Sequence, residues 1–206
     1  MFLFKTPHAE PKLACIAAAC IALAGCAPAE APDAADLNRA YEEALRATAP
    51  PASVMFEVDG VRERAVMRRL EYYFAGMTPL SVEEQTAAVY APTAILYDNL
   101  AVINGLPAIQ GYFAKAASDV DGLQVEFLQV ARADVDYFVR WRMTIESARL
   151  AAEPLVSYGV TQFRFDNEGR VLLHRDFWDA ATGLYEYLPG IGGAIAGLRH
   201  RLAEHD

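Results

Sequence analysis

The sequence predicts an α+β domain in which helices pack on one face of an antiparallel sheet. Three observations predict it. Apolar residues recur at helical spacing between residues 66 and 118, and then at strand spacing in four long runs between 123 and 177. The tetrad Asp166-Asn167-Glu168-Gly169 supplies a hairpin turn between the last two runs, with a glycine free to take positive φ. Ten Tyr, ten Phe and two Trp among 206 residues argue against a disordered chain, and the length suits one core with appendages. A net charge of −9 argues against binding a phosphate backbone, which needs a basic stripe.

The chain opens with an uncharged run, LACIAAACIALAG over 13–25, behind Lys5 and Lys12. A membrane crossing takes roughly 20 apolar residues, so the run reads as a secretory signal. Its end, Leu23-Ala24-Gly25-Cys26, resembles the lipobox of bacterial lipoproteins. That resemblance implies cleavage before Cys26 and lipidation of Cys26. Ala27, where Asp would redirect sorting, implies the periplasmic face of the outer membrane. A plain secretory signal or an uncleaved anchor is the alternative. Cys15 and Cys20 would leave with the signal, so the folded domain would hold no thiol for a disulfide or metal. Residues 1–25 are thus read as signal, 26–65 as an Ala/Pro-rich tether with one short helix over 36–48, and 66–206 as the domain.

Within the domain, Val66, Leu70, Tyr73 and Phe74 form one stripe of a first helix over 66–75. Ser81 with Glu84 three residues on predicts the capped start of a second. Pro92 ends it, and a short strand over 93–97 leads to Asp98. Gly105, Pro107, Ile109 and Phe113 open a third helix, to about residue 118. The strand runs cover 123–130, 137–146, 156–165 and 170–177, and a last helix covers 194–202, with Ile195, Leu198 and Leu202 on one stripe. That helix would close a pocket mouth or rest on a membrane surface.

The stretches YAPTAILYDNLAVINGLPAIQGYF (90–113) and DNEGRVLLHRDFWD (166–179) stand in the order seen in one superfamily. The chain resembles the nuclear transport factor 2-like superfamily, and its SnoaL-like branch in particular, over about 66–202. The resemblance implies a cone: three helices against a strongly curved antiparallel sheet of about six strands, an α+β barrel enclosing an apolar pocket. The family holds ketosteroid isomerases, epoxide hydrolases, polyketide cyclases and many non-catalytic members, so the fold leaves function open.

Strand alternation places Leu172, His174, Asp176 and Trp178 on one face, and Leu173, Arg175 and Phe177 on the other. A His, an Asp and a Trp together do not suit a plain core face, because burying a carboxylate is costly. Alternation with Tyr137 and Val139 sends Trp141 and Met143 inward as apolar walls. By resemblance Asp176 matches the carboxylate of the epoxide-hydrolase Arg-Asp-aromatic motif, but the neighbouring strand offers no second Asp. Asp98 matches the general base of the isomerases, and Tyr73 is the candidate phenol donor. The expected site is Asp98, Asp176 and His174 for chemistry, with Tyr73, Trp141, Met143 and Trp178 against the substrate. The structural alternative has Asp98 turning a loop and His174–Asp176 as a bonded pair.

The sequence holds no Gly-x-Ser-x-Gly, phosphate-loop or dinucleotide glycine pattern, so no cofactor is expected. A metal would need His174, Asp176 and Asp98 to converge, and none is expected. Two functions stand level: cofactor-free isomerase or cyclase chemistry on an apolar carbonyl molecule, and non-catalytic carriage of a hydrophobic ligand. The outer sheet face, with Arg140, Arg142, Arg164, Arg175 and Phe177, predicts a monomer or weak homodimer.

Overall fold

The computed structural model describes residues 34–99 and 101–204. In chain order these form α1 (Ala34–Ala47), α2 (Val61–Phe74), α3 (Pro79–Val89), β1 (Tyr90–Asp98), β2 (Ala101–Asn104), α4 (Leu106–Ser118), β3 (Gly122–Ala133), β4 (Asp136–Glu146), β5 (Leu155–Phe165), β6 (Val171–Trp178), α5 (Ala180–Gly183), a 3-10 turn (Tyr185–Tyr187) and α6 (Gly192–Ala203). The predicted signal and Cys26 lie outside the described residues.

The two helices α2 and α4 bury the stripes their spacing dictates. On α2 this is Val66, Leu70, Tyr73 and Phe74, and on α4 it is Ile109, Phe113 and Ala117. α3 starts earlier than Ser81 suggests. Thr78 is its N-cap, accepting from the Ser81 backbone N–H at 3.1 Å while its own N–H donates to Ser81 Oγ at 2.9 Å. Pro79 fits the first helical position, where no N–H is needed. Pro92 does not mark the helix end: α3 stops at Val89 and the strand already runs through Pro92.

Six strands pair in the order β2-β1-β6-β5-β4-β3 in one curved sheet that does not close. β3 to β6 run antiparallel, whereas β1 and β6 pair in parallel through Leu96–His174 and Tyr97–Arg175. The hairpin before β6 is built as expected: Asp166 Oδ1 accepts from the N–H groups of Glu168 and Arg170, and Gly169 takes φ +77°. A Cβ on Gly169 would also lie 2.6 Å from Val66, so the turn requires glycine twice over. The concave face and the helices enclose one core holding Tyr73, Phe74, Tyr90, Phe113, Phe163 and Phe165.

Of the stretch expected as a tether over 26–65, the described part includes a helix, α1, that packs on the domain. Ala44 and Tyr41 of α1 cover Leu173 and Tyr97 on the outer sheet face. The Arg175 guanidinium stacks over Tyr41, Tyr97 and Phe177 at 4.9–5.3 Å. Arg164 donates to the Leu45 carbonyl and pairs with Asp136 at 2.6 Å. Val54 bridges Phe165, and Phe56 joins the core. Three of the five outer-face residues expected at a dimer contact, Arg164, Arg175 and Phe177, are therefore engaged by the chain's own helix.

Candidate functional site

Alternation holds along β6. His174 faces the core, while Leu173 and Arg175 face α1. Because β1 and β6 are parallel and in register, Asp98 follows Leu96 and Asp176 follows His174 on the same concave face. Two carboxylates thus meet at one end of the sheet from strands that are remote in sequence.

Their partners differ. Asp98 Oδ1 accepts from Trp178 Nε1–H at 3.1 Å, and its Oδ2 accepts the Tyr112 hydroxyl of α4. Asp176 Oδ1 accepts the Thr161 hydroxyl of β5 and lies 3.0 Å from His174 Nε2. Trp141 Nε1–H donates to Thr161 Oγ1 at 2.7 Å. An indole N–H only donates, so the Thr161 proton is directed at Asp176, which is thereby held as an acceptor. His174 Nδ1 meets the Tyr90 hydroxyl at 2.7 Å. With Tyr90 donating there, the Nε2 proton points at Asp176.

Burial pushes the Asp98 carboxyl up, and the Asp176 charge pushes it further, against the bonds from Tyr112, Trp178 and the Asn99 backbone. Burial likewise raises Tyr112, with the Asp98 charge next. Tyr90 is pushed far above the phenol range by burial, then by Tyr73 and Asp176. Asp98 is therefore a carboxyl raised above its ordinary value, beside a second carboxylate that disfavours its charge.

Trp141 lies flat across β5 because residue 159 is glycine; a Cβ there would sit 2.4 Å from the indole. Gly183 of α5 packs on the opposite wall, its would-be Cβ 2.6 Å from Ser157 Oγ and 3.0 Å from Trp178. The buried Ser157 hydroxyl has no hydrogen-bond partner among the described residues.

Of the residues expected at the site, Trp178 bonds Asp98, while His174 and, through Thr161, Trp141 bond Asp176; the two sets are coupled by the charge of Asp176 acting on Asp98. Tyr73 is not on the carboxylates. Its hydroxyl meets Thr86 of α3 at 2.9 Å, and burial pushes it up to about 12. The register of α2 aims it at the neighbouring helix. Met143 is half-buried on β4, paired with Val125 and Ser157, one inward position beyond Trp141. His174 is 3% exposed, its ring 4.8 Å from Phe163 and stacked on Tyr90, with both nitrogens engaged. It positions Asp176 and has no free nitrogen for a ligand. Tyr90, Tyr112 and Thr161 were not among the expected residues; Tyr112 and Tyr90 do stand inside the quoted 90–113 motif.

A surface groove of about 350 Å³ lies at the other end of the sheet, lined by Val58, Glu63, Arg64, Met67 and Arg132 among others. Its charged groups pair with each other, Arg132 with Glu63 at 2.6 Å, and none reaches Asp98 or Asp176. Among the described residues no three His, Cys, Asp or Glu side chains are grouped to hold a metal ion.

An open sheet curled over helices, with ionisable groups at one end of its concave face, defines the cone-shaped α+β class. The chain belongs to the SnoaL-like domain family, whose model matches residues 70–174. Among solved structures it is similar to a protein of ketosteroid isomerase-like fold from Catenulispora acidiphila, crystallised with trimethylamine. The two are 16% identical over 58% of this chain and 88% of that one, with a TM-score of 0.50. It is also similar to an LEH-like epoxide hydrolase of M. tuberculosis, 12% identical over 70% of this chain and 98% of that one, at a TM-score of 0.50. These likenesses establish the fold. No curated protein matches the chain.

Proposed function

We propose that the domain binds a small apolar carbonyl molecule against Trp141, Trp178 and the free Ser157 hydroxyl, and moves a proton on it with Asp98. The observation that carries this is the pairing of Asp98 with Asp176. Burial and the second charge raise the Asp98 carboxyl from the ordinary carboxylate value toward the range where it both takes and returns a proton. Asp176, oriented by Thr161 and His174, is the second carboxylate beside it; Tyr112 is the donor that stabilises Asp98 when it is charged. The reaction class is isomerisation or cyclisation through abstraction of a proton next to a carbonyl.

Exchange in D2O tests this without knowledge of the natural substrate. Apolar ketones and enones incubated with the protein should lose their α-proton NMR signals, and Asp98→Asn should abolish the loss while the melting temperature holds or rises. No exchange across the panel, combined with a hydrophobic molecule that co-purifies unchanged in native mass spectrometry, would replace the enzyme reading with carriage.

The same reading places the domain in the bacterial envelope, anchored through a lipidated Cys26 at the periplasmic face of the outer membrane. The lipobox-like Leu23-Ala24-Gly25-Cys26 supports it. No helix among the described residues is long and apolar enough to cross a membrane. Mass spectrometry of the native N-terminus should find acyl chains on Cys26, and Cys26→Ser should leave unprocessed precursor.

A further inference from the structure

We propose that α6 lies on the bilayer surface and that the carboxylate end of the cone faces the membrane. This rests on the anchoring reading and goes beyond it, since an anchor alone sets no orientation. The first observation is the direction of α1. Tyr41 packs at the level of Arg175 and Phe177, whereas Leu45 and Thr48 bond Arg164, which pairs with Leu173. The helix therefore runs antiparallel to β6. Its start, Ala34, lies about 10 Å beyond Tyr41 at 1.5 Å per residue, past Trp178 at the end of β6.

The second observation is the length of chain before it. Eight residue steps separate Ala34 from Cys26. Fully extended they reach at most about 29 Å. With α1 docked on the sheet, a lipid on Cys26 holds the Trp178 end near the bilayer rather than letting the domain roam on a long tether.

The third observation is what stands at that end. After β6 the chain forms α5, the 3-10 turn and α6. α6 packs on the turn through Gly192 and the Arg199–Glu186 pair at 2.6 Å. Along its expected stripe Leu198 and Leu202 are left outward, 59% and 67% exposed, with Ile191 at its cap 52% exposed and Ile195 half-buried. Arg201 flanks the stripe on one side and Arg199, which pairs with Glu186, on the other, on a chain of net charge −9. An apolar stripe flanked by basic groups suits the boundary between acyl chains and anionic headgroups. The bilayer is thus the occupant that the anchor, the stripe and the charge select together, and ligands of the Asp98 site would reach it from the lipid phase.

The test uses the full-length protein, matured in a bacterial host and reconstituted into phosphatidylethanolamine–phosphatidylglycerol vesicles. One variant carries an environment-sensitive dye at Leu198→Cys, and the other at Val61→Cys. Val61 is 76% exposed and lies near the groove at the opposite end. Quenching by brominated acyl chains should be at least about twofold greater at 198 than at 61. Equal quenching, or none at 198, overturns the orientation while acylated Cys26 in the same sample leaves the anchor intact. A sample without acyl chains overturns the anchor, and the orientation with it.

Discussion

Replacing the buried Tyr90 by phenylalanine isolates the hydrogen bond that orders His174. Tyr90 is fully buried and its hydroxyl lies 2.7 Å from His174 Nδ1. Tyr90→Phe keeps the ring contacts but orphans a buried imidazole nitrogen, which costs about 1–3 kcal/mol. Tyr73→Phe is the control, since Tyr73 is equally buried and equally aromatic in its surroundings. Its partner Thr86 Oγ1 already donates to the Val82 carbonyl at 2.5 Å. Losing the Tyr73 hydroxyl therefore strands no donor, and the cost stays near the net value of one bond, about 0.5–1.5 kcal/mol. For a domain of this size each kcal/mol lowers the melting temperature by roughly 2–4 °C. At the midpoints of those ranges, about 2 and about 1 kcal/mol, the melting temperature of Tyr90→Phe should fall by about 4–8 °C and that of Tyr73→Phe by about 2–4 °C. Urea denaturation supplies the same difference at constant temperature. A Tyr90–His174 double-mutant cycle should show coupling of about 0.5–3 kcal/mol. Equal losses for the two single variants, or no coupling, would refute the reasoning.

The pH dependence of stability follows from Asp98. Below its ordinary value of 3.8 it is protonated folded and unfolded and contributes nothing. As pH rises the unfolded chain loses the proton first, so stability falls until the raised folded value is passed. Asp98→Asn should flatten this fall in urea midpoints between pH 3 and pH 8, gaining on the wild type only at the upper end. Gly159→Ala should cost about 1–3 kcal/mol, because its Cβ would overlap the Trp141 indole at 2.4 Å; near-ultraviolet circular dichroism should report the displaced tryptophan. Arg164→Met should cost about 3–5 kcal/mol by leaving Asp136 without its cation, and should open α1 to proteolysis near Leu45. An unchanged cleavage pattern would mean that Arg164 does not hold α1.

The face each strand residue takes was legible in the sequence, because period-two alternation is local. His174, Asp176 and Trp178 share the concave side, and Trp141 shares it with Tyr137 and Val139, as their spacing alone requires. The helical stripes of α2 and α4 were legible for the same reason. Partnership was not. Tyr112 reaches Asp98 across 14 residues, Thr161 reaches Asp176 across 15, and Tyr90 meets His174 across 84. No periodicity encodes these pairs, which depend on the parallel β1–β6 register and on where α4 lands. The docking of α1 was hidden too: an Ala/Pro-rich stretch looks like a tether until Arg175 and Tyr97 are placed opposite Tyr41. Local chemistry thus determined which side chains face inward. Only the tertiary register, by bringing two strands of distant sequence side by side, decided that two carboxylates share one end of the cone and that the charge of one disfavours the charge of the other.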